Sequence, residues 1–381
     1  MRTEILGRPP ADDSDAGGNP ETHAGHLGYH RARDGSRGAP VAVDFDRPHA
    51  GLVVGKRGYG KSYTLGVLAE AGARTRGVAP VVVDPMGVFA GLAEDAGGDP
   101  VPATVVADPT VRADAIPPER WPALVGTAPD DPVGALVWHA ASTAATLPKM
   151  RSVVADADAD PGTVRAATNR LRRAASWSVF DPDGLDARAL ADGAATVLDC
   201  SGLDDAPANA VAAGVAAALF GARADGSGAG PSVDRLPWLF VDEAHAFLSG
   251  VASAPLRRIL TRGRAPGVSL FVATQRPNAL PDVAVSQSDL RVVHRLTAGP
   301  DLDALAAADP AYLDSDLAET MPTSPGEALV IDDTAEAVRT VAVRERDTPH
   351  GGDSPRASAV TPSHDGLSTE RSPDSAPTDR N

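Results

Sequence analysis

The sequence predicts an α/β fold: a mostly parallel sheet covered by helices on both faces. Three observations predict it. Short, uniformly apolar runs such as Ala79-Pro80-Val81-Val82-Val83 and Ser269-Leu270-Phe271-Val272-Ala273 suit strands buried on both sides. These runs alternate with helix-length stretches rich in Ala and Leu, the rhythm of β-α-β units. A glycine-rich segment, residues 55–62, joins one such strand to one such helix. Strands are expected over 51–55, 80–84, 103–107, 195–199, 237–241, 268–273, 290–294 and 326–331. Helices are expected over 61–72, 162–176, 207–223, 252–262 and 300–308.

Gly55-Lys56-Arg57-Gly58-Tyr59-Gly60-Lys61-Ser62 matches G-x-x-x-x-G-K-[ST] in full. Glycines let the backbone wrap closely and aim its N–H groups at phosphate, and the helix that follows presents its positive end. Lys61 is expected to reach the β- and γ-phosphates, Ser62 to ligate Mg²⁺, and Tyr63 to complete the nucleotide-binding segment. Leu236-Pro237-Trp238-Leu239-Phe240-Val241 runs apolar into Asp242-Glu243, a Walker B pattern. Asp242 is expected to hold the Mg²⁺ shell and Glu243 to polarise the attacking water as general base. Gln275, at the tip of the strand ending Val272-Ala273-Thr274, is placed to sense the γ-phosphate, against the plainer reading of a satisfied strand-end amide. Asp84 ends the strand Val81-Val82-Val83 on the same sheet edge, where it could position water or cap the turn. Together these residues imply a chain that binds ATP with Mg²⁺.

The chain has 51 acidic residues against 35 basic, a net charge of −16, and only three lysines, Lys56, Lys61 and Lys149. Near-total loss of lysine points to a proteome adapted to molar salt and encoded by GC-rich DNA; the plainer alternative is a simply acidic protein. At about 1 M salt the screening length is roughly 3 Å, so the net charge does not exclude a nucleic-acid partner. Cys200 is the sole cysteine, which excludes an intrachain disulfide and a cysteine metal cluster. No run of 18 charge-free apolar residues and no hydrophobic leader appears, and a cytoplasmic location is expected. His23, His26 and His30 have ligand-like spacing without a partner carboxylate pattern.

Residues 1–27 and 348–381 carry Pro, Gly, Asp and Ser without periodicity and are expected to be disordered. The ATPase domain is expected over 28–347. Residues 109–190 break the strand–helix alternation and read as a helical insertion, given bulk by Trp121, Trp138 and Trp177. Its helix 162–176 carries Arg165, Arg170, Arg172 and Arg173, either a DNA-backbone contact or a solvated face.

Four segments together resemble the HerA/FtsK branch of RecA-like motor ATPases, in the form found in halophilic archaea. They are Val53–Ser62, Val81–Asp84, Leu239–His245 (Leu-Phe-Val-Asp-Glu-Ala-His), and Arg262-Gly263-Arg264-Ala265-Pro266-Gly267 running into Ala273-Thr274-Gln275-Arg276-Pro277. His294-Arg295-Leu296 followed by Asp301 is similar to that family as well. The resemblance covers residues 41 to about 345 and implies a RecA-like core and a ring, usually hexameric, that moves double-stranded DNA using ATP. In such a ring Arg264 or Arg262 would reach a neighbour's γ-phosphate as a finger, and Arg276 would act in cis as the rival. Only 54 residues precede the phosphate loop, so the family's N-terminal β-barrel is expected to be missing or reduced and a barrel-docked nuclease partner is not expected. Phe247–Pro255, which would face a ring's pore, offers no Lys or Arg before Arg257. A nucleotide-switched regulatory ATPase that never translocates is therefore the alternative function.

Overall fold

One twelve-stranded sheet organises the protein, ordered β1-β3-β2-β12-β11-β10-β4-β9-β8-β5-β7-β6. This computed structural model describes residues 2–9, 23–32, 34–94, 100–191, 193–224, 233–307 and 320–352. The strands are β1 Glu4–Leu6, β2 Ala24–Arg31, β3 Arg37–Asp44, β4 Ala50–Val54, β5 Val78–Asp84 and β6 Ala103–Val106. They continue as β7 Ala195–Asp199, β8 Leu236–Val241, β9 Ser269–Thr274, β10 Leu290–Val293, β11 Glu327–Asp332 and β12 Ala337–Val343. From β10 through β4, β9, β8, β5 and β7 to β6 every pairing is parallel, so the chain ends of these strands share one edge.

Apolar side chains fill both faces because the strands alternate between two cores. Val53, Val82, Phe240 and Phe271 pack toward the helix Lys61–Arg74. Leu52, Val81, Leu239, Val241, Leu270 and Val272 pack into the opposite core, with the helices Asp205–Ala224 and Ser253–Arg262. Helix Asp205–Ala224 is long and apolar enough to cross a membrane, but two thirds of its apolar window is buried in this core.

Between β6 and β7 the chain forms the helices Trp121–Leu124, Pro132–Thr143, Leu147–Ala155, Pro161–Ala175 and Ala187–Leu190. Local chemistry starts them: Asp131 and Asp160 accept the N–H groups of Val133 (2.9 Å) and Thr163 (3.0 Å), each just ahead of a proline at the first helical position. Trp121 is fully buried against Phe180, whereas Trp138 is 49% exposed and adds little to the core. On Pro161–Ala175 a stripe of Ala167, Leu171 and Ala174 is buried. Arg165, Arg172 and Arg173 are exposed, and Arg170 donates to the Val125 carbonyl at 3.2 Å.

The structure corrects the expected disorder at both chain ends. Glu4–Leu6 pairs in parallel with β3, and Ala24–Arg31 pairs with both β3 and β12. Local composition hid these strands because Glu4–Leu6 is only three residues long and Ala24–Arg31 is rich in Gly and His. The N-terminal strands extend the sheet through β12. Residues 10–22 of the leader lie outside the described residues. At the other end the body continues to Gly351 instead of stopping at 347, and the tail from 353 lies outside the described residues.

Residues 344–351 form a strap across the helix Lys61–Arg74. Its anchor is Glu70, fully buried, which pairs with Arg344 (2.8 Å) and Arg346 (3.4 Å) and accepts from the Thr348 hydroxyl (2.6 Å) and N–H (3.0 Å). Burial lowers the pKa of Arg346, opposed by Glu70 beside it. Two cations, the Thr348 hydroxyl and the N–H groups of Asp347 and Thr348 satisfy one carboxylate that would otherwise be intolerable inside a core.

Candidate active site

The phosphate loop leaves β4 and enters the helix Lys61–Arg74. Gly60, the residue before the helix, sits at φ +109°, a left-handed conformation in which a side chain would be strained. A Cβ at Gly55 would lie 2.6 Å from the Cβ of His294, so the loop can pass β10 only as glycine. Gly58 and Arg57 form the exposed crest, and the Lys56 ammonium lies 4.4 Å above the Tyr59 ring. Tyr63 turns away from the loop: its hydroxyl accepts the Arg346 N–H at 2.7 Å, and its ring meets His350 edge-on. The Tyr63 side chain is thus a seat for the strap.

Lys61 is only 6% exposed, with its ammonium 3.4 Å from the Lys56 carbonyl. Burial lowers its pKa, and the charges of Glu243 and Asp242 pull the other way. The Ser62 hydroxyl donates to Asp242 Oδ2 at 2.6 Å. Asp242 is 1% exposed; burial raises its pKa against the Ser62 hydroxyl and the Glu243 N–H, which donates to Oδ1 at 2.9 Å. Glu243 takes φ +46°, uncommon for a residue with a side chain and a mark of backbone held by its surroundings. Its Oε1 accepts from the Gln275 amide at 3.4 Å, and its buried Oε2 has no hydrogen bond.

Several sequence expectations resolve in this geometry. Asp84 caps the turn that follows β5: its two oxygens accept from Met86 (3.1 Å) and Phe89 (2.8 Å), and burial raises its pKa. Its carboxylate is committed to the backbone and is not free to position water. Gln275 does reach the Glu243 carboxylate. Arg262, Arg264 and Arg276 are exposed. The segment expected at a pore is partly buried, since Phe247, Leu248, Ala252 and Pro255 pack into the core. His26 donates through Nε2 to the Gly28 carbonyl at 2.9 Å, and among the described residues no group of three or more His, Cys, Asp or Glu could hold a metal.

Sequence reading missed how the loop is braced. His294 is fully buried between the loop and β11. The Glu327 carbonyl can only accept, so His294 Nδ1 carries the proton (2.9 Å), and Nε2 accepts from the Thr64 hydroxyl (2.9 Å). The Lys56 N–H donates to the Arg295 carbonyl at 2.8 Å, which completes the latch. The only sequence signal was a histidine closing an apolar strand. Burial pushes the His294 pKa down to about 4. Its folded value lies below the unfolded one, about 6.5, so the unfolded chain binds the proton first and stability falls with pH across that window. We expect the stability difference between the wild type and His294→Gln to shift by about 3 kcal/mol in the variant's favour between pH 7 and 4. Urea unfolding at stepped pH checks it; a pH-independent difference would refute a buried neutral imidazole.

No protein-family model matches the chain, and no curated protein matches it. Solved structures do. VirB4 of Thermoanaerobacter pseudethanolicus superposes at a TM-score of 0.62 with 17% identity, covering 84% of this chain and 96% of that one. The bacterial conjugative coupling protein TrwBΔN70, in its unbound monoclinic form, gives 0.54 with 16% identity, covering 81% and 90%. Identities this low speak for fold alone. Strand order, phosphate loop and these neighbours converge on one statement: the chain has an α/β fold with a RecA-like P-loop core.

Proposed function

We propose that the protein hydrolyses ATP with Mg²⁺ and couples hydrolysis to movement of double-stranded DNA through a homo-oligomeric, hexameric ring. One observation carries the hydrolytic part: at a single sheet edge, a buried ammonium, a serine–aspartate pair and a strained glutamate with a donor-free buried oxygen surround the end of the phosphate loop. This donor set fits a metal-bound triphosphate. Lys61 would neutralise phosphate charge, and Ser62 and Asp242 would hold Mg²⁺. The bound metal supplies charge stabilisation to the transferring phosphoryl group. Glu243 takes the proton of the attacking water, and Gln275 holds its carboxylate.

The ring reading is supported by exposed Arg262, at the end of the helix Ser253–Arg262, and exposed Arg264 in the turn that leads to β9; Arg264 is the proposed finger for a neighbour's γ-phosphate, with Arg276 its rival acting in cis. The low lysine content supports function in molar salt. One observation favours the second reading, a nucleotide-switched regulatory ATPase: the cation-free and partly buried segment 247–255 offers duplex DNA little to grip. Turnover measured in high salt with and without duplex DNA, alongside mass by light scattering with and without ATP, separates the two. DNA-stimulated turnover by a ring supports the motor, and unchanged turnover supports the switch. Lys61→Ala is the control: it should lose tight ATP binding, and retained affinity would sink the loop assignment.

A further inference from the structure

His245 lies two residues beyond Glu243, where the turn Asp242–Ala244 becomes the short helix His245–Leu248. The turn is pinned to β9 by the Ala244 N–H, which donates to the Ala273 carbonyl at 2.8 Å. This places the imidazole Nδ1 3.4 Å from Glu243 Oε2 and 3.2 Å from Thr274 Oγ1. The Thr274 oxygen already accepts from the Arg276 N–H at 3.0 Å. A bare Nδ1 would set its lone pair against a buried carboxylate oxygen, which is repulsive. With the proton on Nδ1, the same 3.4 Å contact is electrostatically attractive to Oε2, which has no hydrogen bond of its own. Glu243 would then be held at both oxygens, by Gln275 from the strand tip and by His245 from the turn.

We propose that His245, through Nδ1, is a positioning residue that sets the carboxylate of Glu243 for proton abstraction. This rests on Glu243 as the base of the hydrolysis reaction. It accounts for a left-handed glutamate in this turn, since that backbone brings residues 243 and 245 together beside Thr274. His245 itself touches neither the loop lysine nor Asp242 by any hydrogen bond among the described residues, so its influence runs through the base.

Asn and Gln separate the two ring nitrogens: the Asn amide occupies the Nδ1 position, and the longer Gln amide occupies that of Nε2. On the full chain, His245→Ala and His245→Gln should each lower kcat on the order of 10-fold with KM and ATP affinity unchanged. His245→Asn should recover most of the loss. Added to Glu243→Gln, His245→Ala should cost nothing further, because a residue acting through the base has no role once the base is gone. Wild-type kcat in both the Ala and Gln variants, or a further loss in the Glu243→Gln background, overturns the proposal while leaving the base in place. Wild-type turnover in Glu243→Gln itself overturns the base and this proposal with it. Should His245→Ala lose its melting transition, the Asn–Gln comparison decides alone.

Discussion

Glu243→Gln is expected to bind MgATP as the wild type does and to turn it over at least about 10²-fold more slowly, close to 3 kcal/mol on the barrier. The amide keeps the shape of the side chain and leaves the Ser62–Asp242 pair at 2.6 Å untouched, so the metal site survives. It cannot accept a proton from water. Only the chemical step should suffer, so kcat should fall while nucleotide affinity, read by equilibrium titration, holds. Turnover within threefold of wild type would assign the base to another residue.

Glu70→Ala should have the largest effect on stability, about 3–5 kcal/mol, read by urea or thermal unfolding. Removing this carboxylate leaves Arg344 and Arg346 charged in a buried site, and strips the Thr348 N–H and hydroxyl of their acceptor. Glu70→Gln should cost less, since an amide oxygen still accepts the Thr348 hydrogen bonds. The strap should also loosen in the alanine variant, seen as faster amide exchange over residues 346–348. A loss under about 1 kcal/mol would mean that the arginines find other partners and that Glu70 is not their anchor.

The parallel core was legible because strands buried on both faces advertise themselves as apolar runs, and several of them end in a chemically specific residue. β8 is followed at once by Asp242, and β9 ends at Thr274 just before Gln275, so edge and site could be read together. Glu4-Ile5-Leu6 could not be read, being three residues long and stable only against β3. Ala24–Arg31 was obscured by two glycines and two histidines, and by a register that shifts twice against β3. In the site, residue identity announced Lys61, Ser62, Asp242 and Glu243. It could not announce that Tyr63 serves the strap, that Asp84 spends both oxygens on backbone donors, or that His294 props the loop. Those roles depend on contacts across more than 200 residues for His294 and Tyr63, which local pattern does not encode. Glu70 offered a hint, as a lone charge inside the apolar stretch Ala69–Ala71.

The joining of β2 to β12 has a consequence for how the protein is made. Tyr29 pairs with Ala342, and the Gly7 N–H is bonded to Asp332, so the first strands find partners on that side only after more than 300 further residues exist. During synthesis at roughly 5–20 residues per second, the N-terminal hairpin would wait on the order of half a minute with one edge open. Loop closure over that span slows folding, and an unpaired edge in the interval invites pairing with another nascent chain. The sheet is thus completed last at the seam where its two ends meet.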